Sequence, residues 1–286
     1  MAAVIPAVTK ISPRIIRILG CNPGTMTLQG TNTYIVGTGK RRILIDTGDS
    51  DVPQYLNHLK SVLKHEKIDL AHILITHWHH DHIGGLCDVM SIEGKTANTQ
   101  VWKFPTTEEK DLNTNIEIEN LTENQEFSVE GATLRVVHTP GHTADHVVLH
   151  LLEDNAIFSG DCILGEGTTV FENLYDFMRS LNKLLELKPA VIYPGHGNVI
   201  HNPSQTIEYY ISHRMERETQ IMETLNNNRQ KAFSESELVK IIYMDTPEKL
   251  HKAAEQTLKH HLQKLLQENK VVMEDNKWRL NDNFLD

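Results

Sequence analysis

The stretch ILITHWHHDHIGG, residues 73–85, places four histidines and one aspartate within positions 77–82, directly after an apolar run. Solubility does not explain the crowding, because imidazole is largely neutral near pH 7. Neutral imidazole and carboxylate are, however, good ligands for zinc-like cations. In an extended segment, side chains two positions apart share one side, so His77 and His79 can reach a single ion. Asp81 and His82 follow where the strand yields to a helix, and the turning chain aims them at a second point. The segment thus divides into ligands for two neighbouring metals. His80, in the odd phase, points away from His77 and His79.

One cluster supplies too few ligands, and three later loops offer more. They are TPGHT with His142, FSGD with Asp161 and YPGHG with His196. Each follows a strand-like run, carries glycine for a tight turn and ends in a metal-ligand residue type. Four such loops are expected to converge on one edge of a sheet. His146, four residues beyond His142, is the next candidate, as a supporting or substrate-binding group. His65, His138, His150, His201, His213 and His251 read as structural or surface residues.

The alternation in RIIRILG, TNTYIVGT and RRILIDTG predicts three successive strands, and VPQYLNHLKSVLKH predicts a helix. EFSVEGATLRVVHTPGH and HVVLHLLEDNAIFSGD read as two strand pairs, the second turning at Glu153-Asp154-Asn155. A helix in FENLYDFMRSLNKLLEL and a strand in AVIYPGHG follow. This order predicts a layered mixed sheet with helices on its outer faces. From Pro203 the character changes. Residues 203–229 form a polar, glycine-free helical connector. SESE, Ser234 to Glu237, is a capping box opening a short helix. A second helix is expected from about Thr246 to Asn269, then two short strands around Glu274-Asp275-Asn276. The expected domains are a catalytic domain over 1–202, the connector over 203–229 and a winged-helix-like domain over 230–286.

Taken together, the seven residues His77, His79, Asp81, His82, His142, Asp161 and His196 resemble the ligand set of the metallo-β-lactamase superfamily. The likeness extends over about residues 14–200. It implies an αββα sandwich holding two zinc ions, with manganese as a possible substitute. His77, His79 and His142 would hold one ion, Asp81, His82 and His196 the other, and Asp161 would bridge them. Paired ions lower the pKa of water from 15.7 towards about 7, so a bridging hydroxide can serve as nucleophile without a separate strong base. Asp81 and Asp161 are the residues expected to take part in catalysis, with Asp81 also orienting the nucleophile.

Within the superfamily, only 34 residues separate Asp161 from His196, too few for the inserted domain of the mRNA-processing and DNA-repair nucleases. The long arm of tRNase Z is not evident. The glyoxalase II family has tyrosine two residues after the last histidine, where this chain has Asn198, so a thioester hydrolase is the alternative rather than the first reading. Asn198 is retained as a candidate substrate contact. LGCNPGTMTLQGTNTYIVGTG, IFSGDCILGEGTTVFENLYDFMRSL and ISHRMERE resemble an animal branch of the superfamily, the endoribonucleases of the mitochondrial matrix. That resemblance implies cleavage of single-stranded RNA to 3′-hydroxyl and 5′-phosphate ends, and a mitochondrial location, with the cytoplasm as alternative.

The formal net charge of −10 argues against a nucleic-acid partner, but the charge is uneven. Residues 247–280 carry seven Lys/Arg against five Asp/Glu, whereas residues 1–230 carry 19 against 28. The expectation is modest, salt-sensitive RNA affinity. The first acid is Asp46, after Lys10, Arg14, Arg17, Lys40, Arg41 and Arg42, a composition compatible with mitochondrial import. Cys21, Cys87 and Cys162 lack metal-type spacing and read as buried thiols of a reducing compartment. No apolar stretch reaches the length of a membrane span. Monomer and homodimer both remain open.

Overall fold

The computed structural model describes residues 4–94, 96, 98–106, 115–244, 246, 247, 250–281 and 283, the side chain of Ala253 excepted. Its first sheet runs in simple sequence order, β1 (Val8–Ser12), β2 (Ile15–Leu19), β3 (Asn32–Val36), β4 (Arg41–Ile45), β5 (Asp69–Ile75), β6 (Gln100–Lys103) and β7 (Ile118–Asn120). The second sheet contains β8 (Glu126–Val129), β9 (Ala132–His138), β10 (Val147–Leu151), β11 (Ala156–Gly160) and β12 (Val191–Pro194), ordered β12-β11-β10-β9-β8. The mixed sheet read from element order is two sheets face to face, as the family resemblance implied.

Period-two alternation builds the layers. Ile43 and Ile45 of β4 pack with Val136, Leu149 and Phe158 between the sheets, while Leu44 turns outward. The outward residues of the first sheet meet α1 (Pro53–His65) through Leu59 and Leu63, and also α2 (His80–Ile83) and α3 (Leu86–Met90) through Ile83 and Val89. The second sheet turns Val148, Ile157 and Ile192 towards Phe177, Leu181 and Leu184 of α4 (Leu174–Leu187). Both faces of the central strands are buried, so they read as nearly continuous apolar runs. The result is an αββα sandwich.

Pro203–Asn226 forms one unbroken helix, α5. Ile207 and Tyr210 belong to the core under α4, whereas Ile221 and Leu225 belong to a separate core. The connector is thus a strut embedded in both cores rather than a linker. The second core contains α6 (Glu235–Ile242), α7 (His251–Gln267) and the hairpin of β13 (Val271–Glu274) with β14 (Lys277–Leu280). The capping box is present: Ser234 Oγ accepts from the Glu237 N–H, and Glu237 accepts from the Ser234 N–H at 2.9 Å. Lys264 and Glu218, both about 95% buried, pair at 2.6 Å and fasten α7 to the strut. Among the described residues no helix is long and apolar enough to cross a membrane.

A candidate dinuclear metal centre

β4, β5, β11 and β12 are adjacent pairs in their two sheets, and their C-terminal ends meet across the sandwich. At the end of β5 the chain stays extended through His77 and His79, then coils into α2 with Asp81 and His82. Asp161 follows β11, and His196 follows β12. His142 comes from the β9–β10 loop. Two groups of ligand atoms result: His77, His79, His142 and Asp161 in one, Asp81, His82 and His196 in the other.

In the first group His77 Nε2, His79 Nδ1 and His142 Nε2 lie 3.0, 3.0 and 3.3 Å apart. In the second, His82 Nε2 is 3.3 Å from His196 Nε2 and 3.2 Å from Asp81 Oδ2, which is 3.1 Å from His196 Nε2. A tetrahedral ion about 2.0–2.1 Å from each nitrogen would space its ligand atoms by about 3.3 Å. Asp161 spans the two groups. Its Oδ1 lies 3.3 Å from both His82 Nε2 and His196 Nε2, and its Oδ2 lies 3.7 Å from His142 Nε2. Oδ1 is buried and has no aligned hydrogen-bond donor among the described residues.

Hydrogen bonds on the far side of the rings fix the tautomers. Asp46 accepts from the Thr76 N–H at 2.8 Å and from the Thr76 hydroxyl at 2.9 Å. With its proton so engaged, Thr76 Oγ1 is left to accept from His77 Nδ1 at 3.0 Å. The same Asp46 Oδ2 accepts from His82 Nδ1 at 2.8 Å. The Val170 carbonyl accepts from His142 Nδ1 at 2.8 Å. The inward nitrogens of His77, His82 and His142 therefore carry lone pairs, and lone pairs converging at these distances are a cation's donor set.

The electrostatics agree. Burial, reinforced by His142, holds His79 down at about 4, and burial beside His82 and His142 holds His77 well below the usual range, so both stay neutral at pH 7. Around His196, burial is outweighed by Asp161 and Asp81, which push it up to about 9. His82 is likewise raised well above its ordinary value by Asp81, Asp161 and Asp46 against the burial that opposes them. A cation held by the second group would take the place of those protons.

All seven expected ligands are thus brought together, and His80 does lie apart, exposed and 2.8 Å from Asp49. His146 is fully buried. Its Nδ1 lies 2.9 Å from Thr139 Oγ1 and its Nε2 accepts from the Asp161 N–H at 3.1 Å, so it stands behind Asp161 rather than in the cleft. Asn198 is half-buried, with its backbone packed on Gly165. The three thiols differ: Cys162 is buried, but Cys21 is only partly covered and Cys87 is exposed on α3, against the expectation of three buried thiols.

Sequence reasoning missed Asp46, Thr76, Thr31 and Val170. Thr31 donates to Asp81 Oδ2 at 2.9 Å. The signal for Asp46 was present, since ILIDTG is a further apolar strand ending in an acid, as FSGD is. Two glycines mark the tightness of the site. A Cβ on Gly160, at φ +47°, would stand 2.8 Å from His146 Nε2, and one on Gly195 would stand 2.6 Å from Asp161 Oδ1.

Residues 26–196 match the model of the metallo-beta-lactamase superfamily. The chain belongs to the metallo-beta-lactamase superfamily. Residues 234–278 match a beta-lactamase associated winged helix domain, which places the α6–β14 unit. A metallo-beta-lactamase superfamily relative from Drosophila melanogaster, "Beta-lactamase-like protein 2 homolog", is 52% identical over 94% of this chain and 93% of its own. A Caenorhabditis elegans protein of the same description is 42% identical over 92% of this chain and 88% of its own. In structure, a beta-lactamase domain protein from Burkholderia ambifaria superposes with a TM-score of 0.77 over 98% of this chain and 96% of its own at 18% identity. At that identity the likeness concerns the metallo-beta-lactamase fold alone. The paired donor groups within this fold are consistent with a dinuclear hydrolytic centre.

Proposed function

We propose that the protein is a zinc-dependent endoribonuclease that hydrolyses phosphodiester bonds of single-stranded RNA and leaves 3′-hydroxyl and 5′-phosphate ends. The observation that supports the hydrolytic part of this reading is the Asp161 carboxylate, set between two converging groups of lone pairs at 3.3–3.7 Å, and the RNA substrate rests on the family resemblance. Bound there, a pair of zinc or manganese ions would acidify water and neutralise charge developing on phosphorus. The chain's own residues do the rest. His77, His79 and His142 would hold one ion and Asp81, His82 and His196 the other, with Asp161 set between them. Thr31 anchors one oxygen of Asp81, and this partly exposed carboxylate orients the attacking water at the mouth of the site. Water adds to phosphorus, the bond to the 3′ oxygen breaks, and that oxygen departs with a proton. The 2′-hydroxyl need not react, so preference for RNA comes from binding contacts.

Lys10, Arg14 and Arg17 lie in or beside β1 and β2, so their charge belongs to the sheet. A mitochondrial matrix location rests on the family resemblance and is tested by fractionating cells that express the tagged chain. The reaction itself is tested with metal-loaded protein, end-labelled single-stranded RNA and a glutathione thioester, using Asp161→Asn as the contamination control. RNA cut to 5′-phosphate ends by the parent but not the variant is expected. Thioester turnover with intact RNA would replace this reading by a glyoxalase II-type hydrolase.

A further inference from the structure

A cleft of about 660 Å³ opens between the loop 168–171, the middle of α5, Tyr243 at the end of α6, and α7. It lies within the size range of small-ligand sites, about 300–1,000 Å³. It also adjoins the metal centre, because Val170, which lines it, is the residue whose carbonyl holds His142. In a chain of net charge −10, its lining contains Arg214, Arg217 and three histidines but no aspartate or glutamate.

Among the described residues, no acid pairs with Arg214 or Arg217. Arg214 is 5% exposed and forms no ion pair among the described residues; its Nη1 and Nη2 donate to the Tyr210 and Thr169 carbonyls at 2.8 and 3.4 Å, which leaves its Nε without a partner. His261 is 2% exposed and its Nδ1 is also unpartnered, as is the buried hydroxyl of Tyr243. A buried guanidinium without a carboxylate is costly unless an anion completes it. Aromatic surface stands beside the charge. The Arg217 guanidinium sits 4.0 Å from the centre of the Tyr243 ring, and the Arg214 guanidinium 5.3 Å from that of Phe171. Cations beside aromatic rings are the combination that holds single-stranded nucleic acid, phosphate on the charge and base on the ring.

We propose that this cleft is a nucleotide subsite of the enzyme, taking the backbone phosphate next to the scissile one on Arg214 and Arg217 and stacking its base on Phe171 or Tyr243. The subsite rests on the endoribonuclease reading and extends it by using the winged-helix domain as the far wall of the substrate groove. It accounts for an acidic protein handling a polyanion, since the local lining rather than the net charge meets the RNA.

The test uses the full metal-loaded chain and single-stranded RNA carrying 4-thiouridine, illuminated in the cold, with crosslinks mapped by mass spectrometry. Crosslinks to Phe171, Tyr243 or His260 are expected. Arg217→Gln should raise KM for RNA about tenfold with kcat within about twofold, and should flatten its salt dependence. Gln256→Lys, at an exposed position on the opposite wall, should lower KM about threefold at low salt and so guards against a misfolding artefact. A parent protein that cuts RNA while crosslinks fall elsewhere and both variants keep the parent KM would overturn the subsite alone. A parent that neither cuts nor crosslinks RNA overturns the endoribonuclease reading and the subsite with it.

Discussion

Asp46 touches no expected metal position, yet it controls two ligands at once. Its carboxylate accepts from the Thr76 N–H, the Thr76 hydroxyl and His82 Nδ1, all within 2.9 Å and all out of contact with solvent. Asp46→Asn preserves volume and removes one acceptor. If the amide nitrogen faces His82, the imidazole must move its proton to Nε2, the atom that should ligate. If it faces Thr76 instead, two N–H donors collide and one stays buried without a partner, at a cost of about 1–3 kcal/mol. Either arrangement weakens the second metal position. Loss of such an orienting partner typically lowers metal affinity about 10–100-fold, or about 1.4–2.8 kcal/mol. The assay is a zinc titration against a competing chelator, followed by elemental analysis after dialysis. The variant should retain about one ion per chain under conditions where the parent retains two, with its circular dichroism unchanged. Two tightly held ions with affinities within twofold of the parent would refute the argument that Asp46 sets the tautomer of His82.

Gly195→Ala would place a methyl carbon 2.6 Å from Asp161 Oδ1 and 2.9 Å from His82 Cε1, so it should lose zinc stoichiometry by elemental analysis while the fold persists. His261 is held down at about 3, chiefly by burial and then by Lys264 and Arg214. Its folded pKa lies below the unfolded value of about 6.5, so its contribution is complete above that pH and is lost as pH falls towards 3, by up to about 1.4 kcal/mol per unit. The acid unfolding midpoint of the winged-helix domain, followed by fluorescence of Trp278, should therefore move to lower pH in His261→Phe. Burial pushes the Cys162 thiol up to about 12, whereas Cys87 is exposed. At pH 8 a thiol reagent should label Cys87 in the native protein and reach Cys162 only after denaturation, as peptide mapping would show.

The ligand residues were legible because metal chemistry limits them to a few residue types and strand geometry spaces them by two. The crowding HWHHDH after ILIT could be recognised without any tertiary contact, as could the strand-end loops around His142, Asp161 and His196. Local patterns also set the individual strands, the capping box at Ser234 and the terminal hairpin, since each depends on neighbours within a few residues. Asp46 was less visible. Its role depends on a partner 36 positions away, His82, and no local period links them.

What the sequence by itself determined, then, is the donor set and the individual strands. Only the tertiary structure decided which strands belong to which sheet and in what order, because strands buried on both faces lose the alternation that would show which side meets a partner. It also decided that residues 203–226 form a strut shared by both cores, since the apolar positions of α5 face different neighbours along its length. The cleft between the loop 168–171 and α7 was decided in the same way. Its charge comes from Arg214 and Arg217, which are far from the ligand loops in sequence, and its far wall forms only when α7 docks on the strut.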